Sequence, residues 1–484
     1  MVMAVLPPRA EESPSSPRQE RTSDLYGIAC ENVFHPVWER FIKRRPTIAY
    51  LEEIERTQWL PAEEIERLQV LSLQRLLLHA KSSVPYYREL FGRIGLDPRD
   101  VRSREDLDAV PLLTKEIIRE RYDDLVDPSR RGFNLKKGTS GSTGVPLRFE
   151  HCTDSSAWRE ATKIRGYRWA GYRLGSPTLH YWAQVRTAPK GALGMKLRLD
   201  RGLKRETVID SMQSDERSMM AAVEILRRSK PSTIVAYTQS CAMWARFILD
   251  RGLRDWEDIP VICGAEAVLP QDRAVLTRAF GSGIFETYGS RETMLMASEC
   301  AAHDGMHLAE ENVLVQVAGR DGRGGRSGDV VVTDLHNYGM PFIRYANGDM
   351  ATMHDDEPCL CGRGLRRLRR VDGRRADALV DKNGIVIPGI VFHVLLSDAR
   401  TDLVAQFQAV QHADRSITFR VVRGRDWNPE RFGAIVARLE GYLRGSPLAI
   451  EFVDRILPMA NGKTRTIVVE RPGTVGEQGE RGEA

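Results

Sequence analysis

The sequence predicts an α/β protein: a large N-terminal domain with mostly parallel sheets flanked by helices, then a small α+β domain at the C-terminus. Three observations predict it. Short β-branched runs alternate with helical segments through the middle of the chain, in "PSTIVAY" (231–237), "DIPVICGAE" (258–266) and "GIFETYGS" (283–290), and strand–helix–strand order of this kind is the signature of a mostly parallel sheet. Later runs, "NVLVQVAG", "GDVVVTDL" and "MPFIRYANGDMA", read as antiparallel strands. A glycine- and arginine-rich stretch ends near Asp372, and beyond it lies a self-contained set of strands and one helix. The length of 484 residues agrees, being too great for one ordinary core.

Residues 1–22 carry prolines, serines and charges, a composition that cannot bury enough to offset ordering entropy, so a disordered tail is expected. They lack the basic start and long apolar core of a signal peptide. From Val33 to Arg93 the pattern is helical. "PAEEIERLQ" (61–69) places Pro61 at an expected first helical position with acids in the first turn. Apolar residues then recur at spacings of three and four. "VPYYREL" begins another helix, and "PLLTKEIIRERY" (111–122) a short one. Between the middle strands, "CAMWARFILDRGL" and "PQDRAVLTRAFG" are the connecting helices. In the last part, "ALVDKNGIVIPG" reads as a hairpin around Asn383-Gly384. "LVAQFQAVQ", "SITFRVVRG", the helix "PERFGAIVARLEGYLRG" and "LAIEFVDRI" complete the small domain. The expected division is therefore a tail at 1–22, a large domain at 23–373 with its helical part at about 30–125, and a small domain at 374–484.

Composition excludes several classes of function. Hydrophobic residues make up 42% and charged residues 28%, and the net charge is only +5 with both signs interspersed, which gives no electrostatic case for nucleic acid or a membrane surface as partner. No apolar run reaches the roughly 20 residues a membrane span needs. Seven cysteines, an odd number without an export signal, point to reduced thiols and a cytoplasmic setting. Cys30, Cys152, Cys241 and Cys263 are scattered and read as small buried apolar residues. The basic run "GRGLRRLRRVDGRR" (362–375) reads as a solvated surface or an anion-facing strand pair.

The chemistry begins at "KKGTSGSTGVPL" (136–147). Its glycines let backbone N–H groups converge on an anion and its hydroxyls add donors. It is not a Walker loop, because Val145 and not lysine follows Gly144. Taken alone, it is a phosphate cradle or a linker. "TYGSRE" (287–292) follows a predicted strand, where open α/β sheets bind ligands. Tyr288 could stack on a flat ring, and Glu292 could hold Mg²⁺, which takes oxygen ligands shared with phosphates. "CGAE" (263–266) ends another strand at the same sheet edge. Asp349 of "IRYANGD" could accept hydrogen bonds from ribose hydroxyls, "GRRAD" (373–377) lies at the domain boundary, and Lys463 of "PMANGKTR" sits on a turn near the C-terminus.

In order and spacing these motifs resemble those of the adenylate-forming superfamily of acyl-CoA synthetases and firefly luciferase, in its phenylacetate–CoA ligase branch. The resemblance runs from about residue 30 to the C-terminal lysine motif and includes "AVPLLTKE". It implies that Thr139, Ser140, Gly141, Ser142, Thr143 and Gly144 cradle the ATP phosphates. It implies that Gly264, Ala265 and Glu266 lie along the adenine, with Thr287, Tyr288 and Gly289 beside it, and that Glu292 binds Mg²⁺. Asp349 and Arg374 would hold the ribose. Lys463 would be the mobile catalytic lysine, acting with Glu292 and Thr143. The family's hinge acid is expected two residues after Arg374, where this chain has Ala376 followed by Asp377. That departure bears on domain rotation and the second half-reaction.

The implied activity is carboxylate plus ATP giving acyl-adenylate and pyrophosphate, then transfer to coenzyme A. An amine acceptor, giving an amide, is the alternative within enzymes, and a non-catalytic nucleotide-binding regulator the alternative outside them. The acid pocket is expected along "LHYWAQ" (179–184), "VAYTQS" (235–240) and the segment around Gly264 to Thr293, with Trp182, Tyr237 and Phe285 either lining it or serving as core. The protein is expected to be a monomer or a homodimer. A further set, Cys300, His307, Cys359 and Cys361 with His303 as a spare, could bind structural Zn²⁺. Its C-x-C spacing is tighter than a standard zinc ribbon, and some phenylacetate–CoA ligase relatives carry a comparable set that binds zinc. Unligated reduced thiols are the alternative.

Overall fold

The computed structural model describes residues 24–138, 147–182, 191–211, 215–319, 324–374, 379–382, 386–387, 392, 395–396, 403–443, 445–456 and 466–470. The helical N-terminal part holds Thr47–Thr57, Ala62–Ser83 and Pro85–Ile94. Pro61 is the N-cap of its helix, one residue earlier than expected, because its ψ of 150° is extended and not helical. Pro85 opens its helix at the first position. The long helix buries Leu73, Leu76, Leu77 and Ala80 on one stripe, and these pack with Phe342 and Tyr345 in a common core. Tyr87 reinforces that contact, its hydroxyl donating to the Pro341 carbonyl (2.9 Å). The helical part thus braces the segment that carries "IRYANGD".

β1 (Leu135–Gly138) and β2 (Arg148–His151) form an antiparallel pair with Gly138 opposite Arg148. Both were unforeseen, being only four residues long, and they bracket the glycine-rich loop. β3 (Thr178–Trp182), β4 (Glu206–Asp210), β5 (Thr233–Tyr237), β6 (Val261–Gly264) and β7 (Ile284–Ser290) are mutually parallel where they pair. β8 (Met294–Glu299) turns back antiparallel on β7. β9 (Met306–Leu308), β10 (Val313–Ala318), β11 (Ser327–Asp334), β12 (Tyr345–Met353) and β13 (Arg367–Arg374) continue antiparallel. All of β3–β13 share one eleven-stranded sheet, in the order β10-β11-β12-β13-β9-β8-β7-β6-β5-β3-β4. The parallel and antiparallel halves therefore meet at β7–β8, and the ends of β5, β6 and β7 open on one edge. Helices Thr238–Asp250 and Pro270–Phe280 cross between them, with Trp244, Leu276 and Phe280 fully buried.

Beyond β13, β14 (Leu379–Val380) pairs antiparallel with β15 (Val386–Ile387); the Asn383-Gly384 turn lies outside the described residues. β16 (Val404–Gln411), β17 (Ile417–Arg423), β18 (Leu448–Phe452) and β19 (Ile467–Val469) form a second sheet in the order β18-β17-β16-β19. Helix Pro429–Leu443 covers it over a core that includes Phe407, Phe419, Phe432 and Leu439. β19, three residues long, gave no periodic signal.

The basic run at 362–375 is mixed: Arg369 and Arg370 are solvated, 62% and 59% exposed, whereas three other arginines are enclosed. Arg363 lies over the rings of Trp59 (4.6 Å) and Trp169 (4.7 Å), Arg366 pairs with Glu310 (2.6 Å), and Arg367 is buried against Asp304. Cys30, Cys152, Cys241 and Cys263 are buried free thiols. Among the described residues no helix is long and apolar enough to cross a membrane. The expected tail at 1–22 lies outside the described residues.

Candidate active site

The edge formed by β5, β6 and β7 is built by close backbone approach. A Cβ on Gly264 would stand 3.1 Å from Thr287 Oγ1 and 3.3 Å from the Trp182 ring, and Thr287 Oγ1 donates to the Cys263 carbonyl (2.7 Å). Ala265 then takes a left-handed φ of 68°. This turns Glu266 back onto the start of helix Thr238–Asp250. There its carbonyl accepts from Thr238 Oγ1 (2.8 Å) and its carboxylate from the Gln239 N–H (3.1 Å), a favourable place for an anion. "GAE" is thus a fixed shelf at the end of β6.

The turn from β7 to β8 is equally constrained. A Cβ on Gly289 would come within 2.2 Å of the Met294 carbonyl oxygen, so the two strands can approach only with glycine there. Ser290 and Thr293 hydroxyls meet at 3.0 Å across the turn. The result puts Arg291 outward and Glu292 inward. Glu292 is buried and accepts from the Tyr345 hydroxyl (2.9 Å). Burial, then the Glu292 charge, holds the Tyr345 phenol far above its ordinary value, so it stays a donor.

Tyr288 and Asp349 come together although 61 positions apart: the Tyr288 hydroxyl donates to Asp349 Oδ2 (2.8 Å). Asn347 binds both, its amide donating to the Tyr288 oxygen (2.8 Å) and to Asp349 Oδ2 (3.1 Å), while its own oxygen accepts from the Asp349 N–H (2.9 Å). Lys115, on the short helix Lys115–Glu120, donates to the Asn347 carbonyl (2.9 Å). Gly348, at φ 90°, makes the turn between them. In β13, Arg374 stands directly opposite Asp349. The Tyr288 ring is packed among Met296, Ala297 and Leu308 in the antiparallel half of the core.

Between the end of β1 and the β7–β8 turn lies a cavity of about 420 Å³ lined by Lys136, Lys137, Gly138, Ser290, Arg291 and Met294. It places the base of the glycine-rich loop next to "YGSRE". Lys136 leans toward Glu150 (3.8 Å). Lys137 and Arg291 have no ion pair or hydrogen bond among the described residues. Desolvation, then the charges of Arg159 and Arg291, lower the Lys137 ammonium below its ordinary value. An uncompensated pair of cations at a cavity mouth suits a polyanion. Of the aromatics expected along the acid pocket, Trp182 and Tyr237 stack at 4.1 Å at the ends of β3 and β5. Phe285 is instead core, packed in a cluster with Trp158 and Ile262.

A second constellation sits where β8, β9 and β13 adjoin. Ligand atoms of Cys300, His307, Cys359 and Cys361 all lie within 4.8 Å of one another. The Cys300 and Cys359 sulfurs are 3.8 Å apart, and Cys361 Sγ is 3.2 Å from His307 Nε2. Tetrahedral zinc with Zn–S near 2.3 Å separates its sulfurs by about 3.8 Å, so the donor set and its spacing fit the ion. His307 Nδ1 faces the Leu365 carbonyl (3.1 Å), which leaves Nε2 to the cluster, as ligating histidines are usually held. The hydrogen bond between Cys300 and Cys361 pushes the Cys361 thiol down and the Cys300 thiol up. His303, the spare, is not part of this set: its Nδ1 pairs with Glu299 (3.0 Å).

No family model matches the chain. The phenylacetate-coenzyme A ligase of Thermus thermophilus is 29% identical over 364 residues, 72% of this chain and 79% of the relative. Protein CapK of Staphylococcus aureus is 22% identical over 435 residues, 88% of this chain and 93% of the relative. The crystal structure of 2-hydroxyisobutyryl-CoA ligase in the postadenylation state, with R3-HIB-AMP, has the same fold: TM-score 0.69 over 86% of this chain and 92% of that one, at 18% identity. The chain is thus similar in sequence to phenylacetate–CoA ligases over most of its length and shares the fold of an adenylate-forming CoA ligase.

Gly264 to Glu266 and Thr287 to Gly289 stand at or just past the ends of β6 and β7, Glu292 lies in the β7–β8 turn, and Asp349 lies on β12 in the antiparallel half of the sheet. Thr139 to Gly144, Lys463 and the hinge pair Ala376 and Asp377 lie outside the described residues. Sequence reasoning missed Lys115, Lys137, Arg291, Tyr345 and Asn347. Each sits inside or beside a motif already quoted, but Tyr345, Asn347 and Lys115 take their part from a partner 53 to 232 positions away, and Lys137 and Arg291 from a cavity that joins two distant segments.

Proposed function

We propose that the chain activates a carboxylic acid with MgATP and passes the acyl group to coenzyme A. In the first step a carboxylate oxygen attacks the α-phosphorus, the bond to the bridging oxygen breaks, and pyrophosphate leaves. In the second the CoA thiol, losing its proton, attacks the acyl carbonyl and AMP departs. The observation that carries this reading is the Tyr288–Asn347–Asp349 network beside the Tyr345–Glu292 pair and the cation-lined cavity. Asp349, oriented by two donors, accepts from ribose hydroxyls with help from Arg374 opposite it. Glu292 is the ligand for Mg²⁺, which would neutralise phosphate charge when bound. Lys137 and Arg291 carry the rest of the polyphosphate charge, and charge neutralisation in a fixed site is where most of the rate comes from. Thr139, Ser140, Gly141, Ser142, Thr143 and Gly144 cradle the phosphates, and Lys463 closes on the carboxylate and α-phosphate from the domain beginning near residue 374.

The four-ligand cluster at Cys300, His307, Cys359 and Cys361 holds a structural zinc ion, remote from the reaction and closed in the manner of structural sites. A cytoplasmic setting, where thiols stay reduced, is part of the reading. The test is pyrophosphate exchange over a library of aryl, fatty and amino acids. Acid-dependent AMP and pyrophosphate are expected. An active acid that yields ADP and phosphate instead rules the reading out.

A further inference from the structure

Asp349 is presented by a turn that is held from outside its own strand. The segment 108–115 grips the start of β12 and the residues before it at several points. The Arg344 guanidinium donates to the Asp108 and Val110 carbonyls (2.9 and 2.8 Å). The Leu113 N–H donates to the Arg344 carbonyl (2.9 Å), and the Ala346 N–H donates to the Leu113 carbonyl (3.0 Å). Leu113 and Tyr345 thereby pair as a one-residue parallel bridge. Two residues further on, Lys115 extends the grip, its ammonium donating to the Asn347 carbonyl (2.9 Å).

Asn347 is clamped at its main chain and at its side chain. Lys115 holds its carbonyl, while its amide donates to the Tyr288 oxygen (2.8 Å) and to Asp349 Oδ2 (3.1 Å). Asp349 Oδ2 also takes the Tyr288 hydroxyl (2.8 Å), and these two donors fix the plane of the carboxylate. Gly348 lies between, at φ 90°, and a Cβ there would stand 3.4 Å from Lys115 Nζ, so the ammonium sits against the turn itself. Glycine resists rotation of its neighbouring peptides less than any other residue, and the Lys115 contact supplies the restraint that Gly348 lacks. Lys115 is half-buried and makes no other hydrogen bond or ion pair among the described residues. It stands at the first position of helix Lys115–Glu120, where the peptide dipoles favour an acid, so local structure gives no reason for a cation there.

We propose that Lys115 is a positioning residue for the nucleotide ribose: it locks the Asn347–Gly348 turn so that Asp349 meets the ribose hydroxyls in a single orientation. The inference rests on the reading of Asp349 as the ribose ligand. Lys115 bonds a main-chain carbonyl, so its effect reaches the nucleotide through the geometry of Asp349, and a group held in its bound orientation beforehand saves the cost of ordering it on binding. A lysine that served the phosphates would belong with Lys137 and Arg291, at the cavity whose lining does not include Lys115.

Isothermal titration of the full chain with MgATP and with the magnesium complex of 2′,3′-dideoxy-ATP is the test. The wild type is expected to prefer ATP by about 10–100-fold, the range for hydrogen bonds to a charged group. Asp349→Ala is expected to lose that preference. Lys115→Met is expected to cut it about threefold or more, as for neighbours coupled in one network, by weakening ATP and leaving the dideoxy analogue little changed. In the Asp349→Ala background the same change is expected to add nothing. Should Lys115→Met fail to fold, Lys115→Gln, which keeps a neutral donor, is expected to show the same selective loss in smaller degree, and the same comparison decides. A folded lysine variant that weakens both nucleotides equally, or neither, overturns the proposal, while a lost preference in Asp349→Ala leaves the ribose reading standing. An Asp349→Ala variant that keeps the wild-type preference overturns the ribose reading and the proposal with it.

Discussion

Replacing Cys359 and Cys361 together with serine is expected to strip zinc from the protein and lower its melting temperature. The geometry sets the size of the effect. Four donor atoms from three separate chain segments converge within 4.8 Å, so one bound ion would cross-link the end of β8, the middle of β9 and the 359–361 loop that leads into β13. Serine cannot supply a thiolate, and two of the four ligands are lost. An ion bound at 100 to 1,000 times its dissociation constant stabilises by about 2.7–4.1 kcal/mol. Unfolding entropy of about 2.1 cal/mol/K per residue over a cooperative body of roughly 300 residues turns this into about 4–7 °C. Protein purified without added metal should contain about one zinc per chain by elemental analysis. A strong chelator should lower the wild-type melting temperature by this amount and leave the double variant unmoved. Pyrophosphate exchange below the melting temperature should persist in the variant, because the cluster stands apart from Glu292 and Asp349. Zinc-free wild-type protein that ignores chelators, or a double variant with full zinc and unchanged melting, refutes the argument; the cluster would then be four reduced side chains packed together.

Lys463→Ala should reduce pyrophosphate exchange by about 10²–10³, the usual effect of losing one transition-state charge contact, while pre-made acyl-adenylate and CoA are still converted at a rate near wild type; parallel loss of both steps in a folded variant would assign the lysine to domain closure in general. Arg291→Ala should raise the KM for MgATP about tenfold or more, a single charge-assisted contact being worth roughly 1.5–3 kcal/mol, with the KM for the acid little changed; the opposite split would move Arg291 to the acid. Burial, followed by the Lys204 charge, pushes His35 down to about 4, so it is neutral in the fold. With an unfolded value near 6.5, its contribution is complete above that pH and is lost as pH falls toward 4. Urea unfolding should therefore show about 2 kcal/mol lost to this group between pH 7 and 5, and His35→Gln should remove that part of the slope; an unchanged slope would mean another group titrates.

Much of this protein is written locally. The parallel strands at 233–237, 261–264 and 284–290 announce themselves as β-branched runs between helical stretches, because burial on both faces selects those residues over five or so positions. The tight backbone positions were also legible, since a close backbone approach selects glycine wherever it occurs, as at Gly264 and Gly289. Partnership was not. That Tyr288 orients Asp349, that Tyr345 serves Glu292, or that His307 and not His303 joins the thiols depends on how segments distant in sequence are brought together by the folded sheet. The same holds for Arg363, Arg366 and Arg367, sandwiched or paired by neighbours the periodicity could not name, within a basic run whose Arg369 and Arg370 are solvated as read. Residue type and local spacing fix which groups a segment offers. Only the packing of the sheet decides which of them meet, because a hydrogen bond or a metal ligand set is a relation between segments and leaves no period in either one.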